Sequence, residues 1–161
     1  LESNYIEYFM ADIINKVNGE YNEINLKKTL WNSKALSADV NDAINPMFKE
    51  VHDSLNAAKL GYGIVMTKYT GSGGKYSSND ADAEFVHEMR TLLNKNNITW
   101  QIGMLGKVDE GGGGTVAKYL ANFGIRTIDV GPALLAMHSP FELASKFDIY
   151  ETYISYKVFY K

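Results

Sequence analysis

The sequence predicts an α/β layered fold, with helices packed on a parallel or mixed sheet. Three observations lead there. Short apolar runs of strand length, Ile64-Val65-Met66 foremost, alternate with amphipathic segments of helical period, and such alternation packs as helical layers on one sheet. Of 161 residues, 45% are apolar and only 22% charged. That excludes a disordered tail and lets a chain of this length bury about 70% of the surface it exposes unfolded. No repeat, low-complexity tract or linker interrupts the chain, so residues 1–161 read as a single domain.

The elements follow in order. Ile6, Phe9, Ile13 and Val17 recur at helical spacing from Tyr5, and Asn18-Gly19 closes that helix. A second short helix is expected over Ile24 to Trp31. Lys34 to Val40 reads as a brief buried strand ending at Asp39. Tyr62 to Tyr69 suits a strand covered on both faces. Asp82 to Lys95 carries Val86, Met89 and Leu93 on one helical face, with acids in its first turn where the helix dipole favours them. Ile98, Trp100, Ile102 and Met104 show the two-residue period of a strand. Thr115 to Asn122 is predicted helical and Ile125 to Val130 a strand. In the tail, Ser139-Pro140 suits an N-cap and first helical position, and Phe147, Tyr150, Ile154 and Val158 keep helical spacing.

Charge and composition narrow the function. Sixteen Lys and Arg against 19 Asp and Glu give a net charge of −3. Without a clustered basic run, a dedicated nucleic-acid binder is set aside. The absence of cysteine removes disulfides, thiol nucleophiles and iron–sulfur clusters and fits a reducing compartment. No apolar stretch approaches the roughly 20 residues of a membrane span. A cytoplasmic protein is expected.

Glycines mark two places: five of the 14 lie between Gly61 and Gly74, six between Gly103 and Gly114. Gly111-Gly112-Gly113-Gly114-Thr115 follows a strand and opens a helix, so its bare N–H groups suit an anion or a developing oxyanion; the plainer reading is a flexible turn. It is neither a P-loop nor a dinucleotide fingerprint, since Gly106-Lys107 lacks the Ser/Thr and Asp109-Glu110 would repel a pyrophosphate. His52 and His87 read as surface or structural histidines. His138, in Met137-His138-Ser139-Pro140, stands at a junction from which an imidazole can reach a metal or a proton, or simply cap backbone. Asp39 ends a strand, where functional residues of α/β sheets collect, although such an Asp equally caps a helix. Lys68 beside the Gly71 to Gly74 loop could hold a substrate carboxylate or be solvated, and Tyr76 could bond substrate or pack. Asp, His, Lys and Tyr around glycine loops are consistent with metal-assisted hydrolysis, but Asp39 and His138 alone fall short of a two-metal ligand set.

These same residues carry a family resemblance. Gly106 to Lys118, followed by Ala136-Met137-His138-Ser139-Pro140-Phe141-Glu142, resembles the C-terminal catalytic segment of the dizinc aminopeptidases that include aspartyl aminopeptidase and aminopeptidase I. Ser33 to Val40 and Thr67 to Tyr76 resemble it in the right order. The resemblance covers essentially all of the chain. It implies part of an α/β/α sandwich of the zinc-exopeptidase, phosphorylase/hydrolase-like type, with a mixed sheet flanked by helices. It also implies a peptide substrate shortened from its N-terminus by a water activated between two zinc ions. Asp39 is similar to the terminal carboxylate ligand of one zinc and His138 to the histidine ligand of the other. Lys68 and Tyr76 fall at positions associated with substrate binding.

Departures from the family pattern set further expectations. The family's earlier segment supplies a histidine ligand, the bridging aspartate and a Glu-Glu pair holding the general base. None of these is in residues 1–161, nor is the inserted dimerisation domain. The chain therefore reads as a segment of a longer protein, inactive and weak in zinc by itself. Asp42 stands where aspartyl aminopeptidases carry a histidine near the substrate, which argues against a preference for acidic N-terminal residues. A sheet edge left without the earlier strands invites association, and the family's enzymes form large assemblies, so a homo-oligomer is expected. Two readings compete with the enzyme: a non-catalytic interaction or structural domain that retains the scaffold, and an anion-binding module using the glycine loop alone.

Overall fold

A computed structural model describes residues 3–73, 76–107 and 109–161. Its centre is a four-stranded mixed sheet in the order β1-β7-β3-β6, formed by β1 (Lys34–Ser37), β3 (Ile64–Thr67), β6 (Trp100–Ile102) and β7 (Arg126–Gly131). β1 pairs with β7 in parallel and β3 with β6 in parallel, whereas β3 and β7 are antiparallel. β1 and β3 therefore run in opposite senses, and their carboxyl ends meet at one level: Ser37 and Thr67 both pair with Asp129. The four residues of β3 are all buried, as expected for a strand covered on both faces. β1 is instead an edge strand with one buried residue, Ser37, and it stops two residues short of Asp39.

Strand alternation sorts side chains between the layers. Ile64, Met66, Ile128 and Val130 meet α3 (Ala83–Lys95) and α5 (Lys146–Phe159) on one face. Ala35 and Ile125 meet α1 (Tyr5–Asn18), α2 (Glu23–Trp31) and α4 (Ala117–Ala121) on the other. The α/β/α sandwich is thus built as the resemblance implies. In α3 the residues Phe85, Met89 and Leu93, at i, i+4 and i+8, are buried almost completely, each contributing roughly 1.5–3 kcal/mol of transfer free energy. Asp82 caps that helix by accepting the Phe85 N–H at 2.8 Å, and its two oxygens take Arg126 Nη2 and Nε at 2.6 and 3.1 Å. One aspartate thereby fastens α3 to the first residue of β7.

The terminal helices differ from the sequence expectation. α5 starts at Lys146 with Ser145 as its cap, not at Ser139-Pro140. The intervening residues form β9 (Leu143–Ala144), which pairs with β8 (Ala133–Leu135) and through it with β2 (Asn41–Asp42) in a small second sheet. Phe147 and Tyr150 point outward, and the buried stripe is polar: Asp148, Glu151, Thr152 and Ser155. The reason is backbone chemistry. α5 crosses the amino ends of β3 and β6, where N–H groups lack strand partners. Asp148 accepts from the Gly61 and Gly63 N–H groups at 2.8 and 2.7 Å, and Glu151 accepts from the Thr99 N–H at 2.5 Å. In α1 the packed stripe is Ile6, Met10 and Ile14; Phe9, Ile13 and Val17 of the expected stripe are exposed.

Candidate active-site cavity

The loops after β2, β6 and β8 enclose an open cavity of about 460 Å³. One wall is Ala136, Met137 and His138, the second Leu105, Gly106, Gly112 and Gly113, and the third the segment from Asp42 to His52. Close backbone contacts fix these walls. A Cβ on Gly131 would lie 2.0 Å from the Asp39 carbonyl oxygen, so only glycine lets the segment after β1 cross the sheet there. Gly112 has φ +104°, and a Cβ on it would lie 2.3 Å from the Gly71 carbonyl oxygen.

That second contact joins the glycine loop to a hairpin the sequence analysis did not anticipate, β4 (Tyr69–Ser72) and β5 (Tyr76–Asp80). The Gly73 N–H donates to the Gly111 carbonyl at 3.0 Å, and the Thr70 and Thr115 hydroxyls are 3.2 Å apart. Gly74 and Lys75, part of the quoted glycine stretch, lie outside the described residues, as does Val108. The helix after the loop, α4, is a single short turn and a half of five residues without a side-chain cap, too short to offer the dipole an anion site draws on. Gly112 serves close packing of the loop on the hairpin.

Of the expected site residues, one lines the cavity. His138 lines the cavity; it is exposed, has φ +66°, and its backbone N–H donates to Glu142 Oε1 at 2.6 Å. Asp39 is half-buried beside the sheet, its Oδ1 accepting the Val40 N–H at 2.8 Å, and it does not line the cavity. Lys68 is ion-paired with Asp80 across the hairpin, and Tyr76, 79% exposed, opens β5. Neither reaches the cavity lining.

Among the described residues no three His, Cys, Asp or Glu side chains gather as a metal site. The residues present therefore do not fit a complete zinc centre. They fit one carboxylate and one imidazole donor held at separate positions.

Two residues in or near the site were missed by sequence reasoning. His52, expected as a surface or structural histidine, is buried at 6% exposure and lines the cavity. Its neighbours Glu50 and Asp53 look solvated in sequence, and only the turn at Lys49–Val51 folds the imidazole inward. The Asn45 N–H donates to its Nε2 at 3.4 Å, and its Nδ1 stands 3.5 Å from Asp42 Oδ2. Burial pushes the Asp42 carboxyl up and His52 pulls it back. Asp129, in mid-strand, is 3% exposed, and neither of its oxygens has a hydrogen bond of ordinary geometry. Burial pushes its carboxyl up against the opposing pull of the Ser37 and Thr115 hydroxyls, and the charge of Asp39 adds to the rise.

A mixed-sheet α/β/α sandwich with a glycine-walled cavity built by loops is the class of molecule this fold and site define. The particular family follows from the sequence. The chain belongs to the aminopeptidase I zinc metalloprotease family, M18, which matches residues 1–160. It is 62% identical over 162 aligned positions to a probable M18 family aminopeptidase 1 of Borrelia garinii, covering all of this chain and 35% of that protein. The crystal structure of an M18-family aminopeptidase from Thermotoga maritima superposes with a TM-score of 0.93 at 48% identity, covering 98% of this chain and 35% of that one. Aminopeptidase I from Clostridium acetobutylicum gives 0.87 at 47% identity, covering 99% and 34%. The chain thus spans about a third of the length of the relatives it matches. Among the described residues no helix is long and apolar enough to cross a membrane.

Proposed function

We propose that this chain is the C-terminal catalytic segment of a zinc-dependent aminopeptidase that removes N-terminal residues from peptides, and that it is inactive alone. The observation that carries this is His138 on the wall of a cavity where the glycine loop and the Asp42 segment converge, in a chain whose residues 1–160 follow the family's sequence. In this reading Asp39 and His138 are donors to two zinc ions, completed by ligands and a general-base Glu from a segment outside residues 1–161. Lys68 and Tyr76 contact substrate in the complete site. Zinc, if held there, would supply the polarisation of the peptide carbonyl and the activation of water. This chain's contribution is to fix the imidazole and carboxylate and to wall the cavity.

The protein acts in the cytoplasm as a homo-oligomer. Support for association comes from the edge strands β1 and β6 and from aromatic side chains exposed on α1 and α2, among them Tyr5, Tyr8 and Trp31. A structural neighbour from Saccharomyces cerevisiae, 24% identical, is described as a dodecamer. The test compares the chain with the full-length protein on aminoacyl nitroanilides. Hydrolysis by the full-length protein alone, abolished by a chelator and by His138→Ala, is the expected result. Chelator-sensitive hydrolysis by residues 1–161 that His138→Ala abolishes would overturn the segment reading. The lack of a three-donor cluster among the described residues favours a second reading, a non-catalytic interaction domain on the same scaffold. It predicts no turnover in either protein.

A further inference from the structure

The cavity carries one electrostatic feature that the proposed function leaves unused. Among the described residues its lining contains a single carboxylate, Asp42, no lysine or arginine, and the imidazoles of His52 and His138. His52 stands behind Asp42 without bonding it firmly. His52 Nε2 accepts the Asn45 N–H, so the ring proton sits on Nδ1, which faces Asp42 Oδ2 at 3.5 Å, too long for a firm hydrogen bond. The His52 side chain is 2% exposed and Asp42 31%, so the imidazole is a buried backstop and the carboxylate opens to the cavity. Around it the walls are apolar: Phe48, Leu105 and Met137.

Apolar walls ending on one carboxylate match a side chain with an aliphatic stem and a cationic tip. We infer that Asp42, backed by His52, makes this cavity the pocket for a basic first residue, lysine or arginine, of the peptide. The inference rests on the aminopeptidase reading and names its substrate class. The stem lies along Phe48, Leu105 and Met137 while the ammonium or guanidinium reaches Asp42. An acidic first residue would place like charges together in a half-enclosed space and is rejected. A leucine leaves Asp42 without its ionic partner and is accepted less well.

The experiment measures kcat/KM of the full-length protein on lysyl, leucyl and glutamyl nitroanilides. The expected order is lysyl, leucyl, glutamyl, with lysyl over glutamyl by roughly 100-fold or more. Asp42→Asn should lower the lysyl-to-leucyl ratio by about tenfold, and His52→Gln should lower it in the same direction but less. In the unaltered protein, lysinamide should inhibit more strongly than norleucinamide, which shares the stem and lacks the charge; this arm stands even if a variant fails to fold. A preference for leucyl or glutamyl substrates, an unchanged ratio in a folded Asp42→Asn protein, or equal inhibition by the two amides would overturn the inference and leave the aminopeptidase reading intact. No turnover of any of the three substrates would overturn that reading, and the pocket assignment with it.

Discussion

Two buried aspartates sit at opposite ends of the same sheet and live in opposite chemistry. Asp148, on α5, has both carboxylate oxygens occupied by backbone N–H groups of the loop before β3. Asp129, in the middle of β7, has neither oxygen engaged in ordinary geometry. Around Asp148 the polar groups are matched and the structure is closed. Ser37, which pairs with Asp129 across the strands, likewise has a buried Oγ without a hydrogen-bond partner among the described residues. Buried polar groups are normally satisfied, so this end of the sheet departs from a rule that the α5 end keeps. The α5 end is matched group for group, and the end toward the cavity is not.

Removing Asp148 should produce the largest effect. Asp148→Ala leaves two buried N–H donors unmatched and should cost about 3 kcal/mol in urea denaturation of the protein. Next comes the cavity end, where Gly112→Ala forces a side chain against the Gly71 carbonyl. In the full-length protein it should lower kcat/KM tenfold or more with a much smaller change in melting temperature. If Gly112→Ala instead destabilises as strongly as Asp148→Ala, the division between the two ends fails. Asp82→Ala removes the α3 cap and should cost about 1 kcal/mol. Arg126 holds the Asp82 carboxyl down to about 2. A depressed carboxyl stabilises the fold above its unfolded value near 3.9, so this contribution should fade as pH falls toward 2 and be absent from the variant's pH–stability curve. The smallest effect is expected at Asp129, whose carboxyl is raised by burial. A raised carboxyl favours the fold below its unfolded value and loses that advantage as pH rises through the folded one. Asp129→Asn should therefore gain on the unaltered protein as pH rises above about 4, measured by denaturant midpoints at each pH.

Much of the fold was legible because local pattern and tertiary role coincide. Ile64 to Met66 is apolar on both faces and becomes the strand buried on both faces; Met89 and Leu93 mark the inward stripe of α3. Legibility failed where burial serves backbone groups instead of apolar area. The inward face of α5 is Asp148, Glu151 and Ser155, which no hydrophobic period reveals. The hairpin was hidden because Tyr69 to Asp80 is largely polar and gains its order from the glycine loop, through Gly73 and Thr70. At the site, the motif resemblance pointed to His138, which lines the cavity, and to Asp39, which is not in its lining, a difference that spacing alone could not show. His52 had no sequence signal, since a histidine between acids reads as solvated until a turn folds it inward.

The pairing of Asp148 with Gly61 and Gly63 spans 87 and 85 residues of sequence. During synthesis the start of β3 emerges long before its acceptor exists, because the acceptor lies on α5. The central strand must therefore wait, its first amides hydrated, until that helix has been made. A nascent chain arrested before α5 would present an open sheet to chaperones and proteases, so the emergence of α5 is itself the signal that closes this end of the sheet.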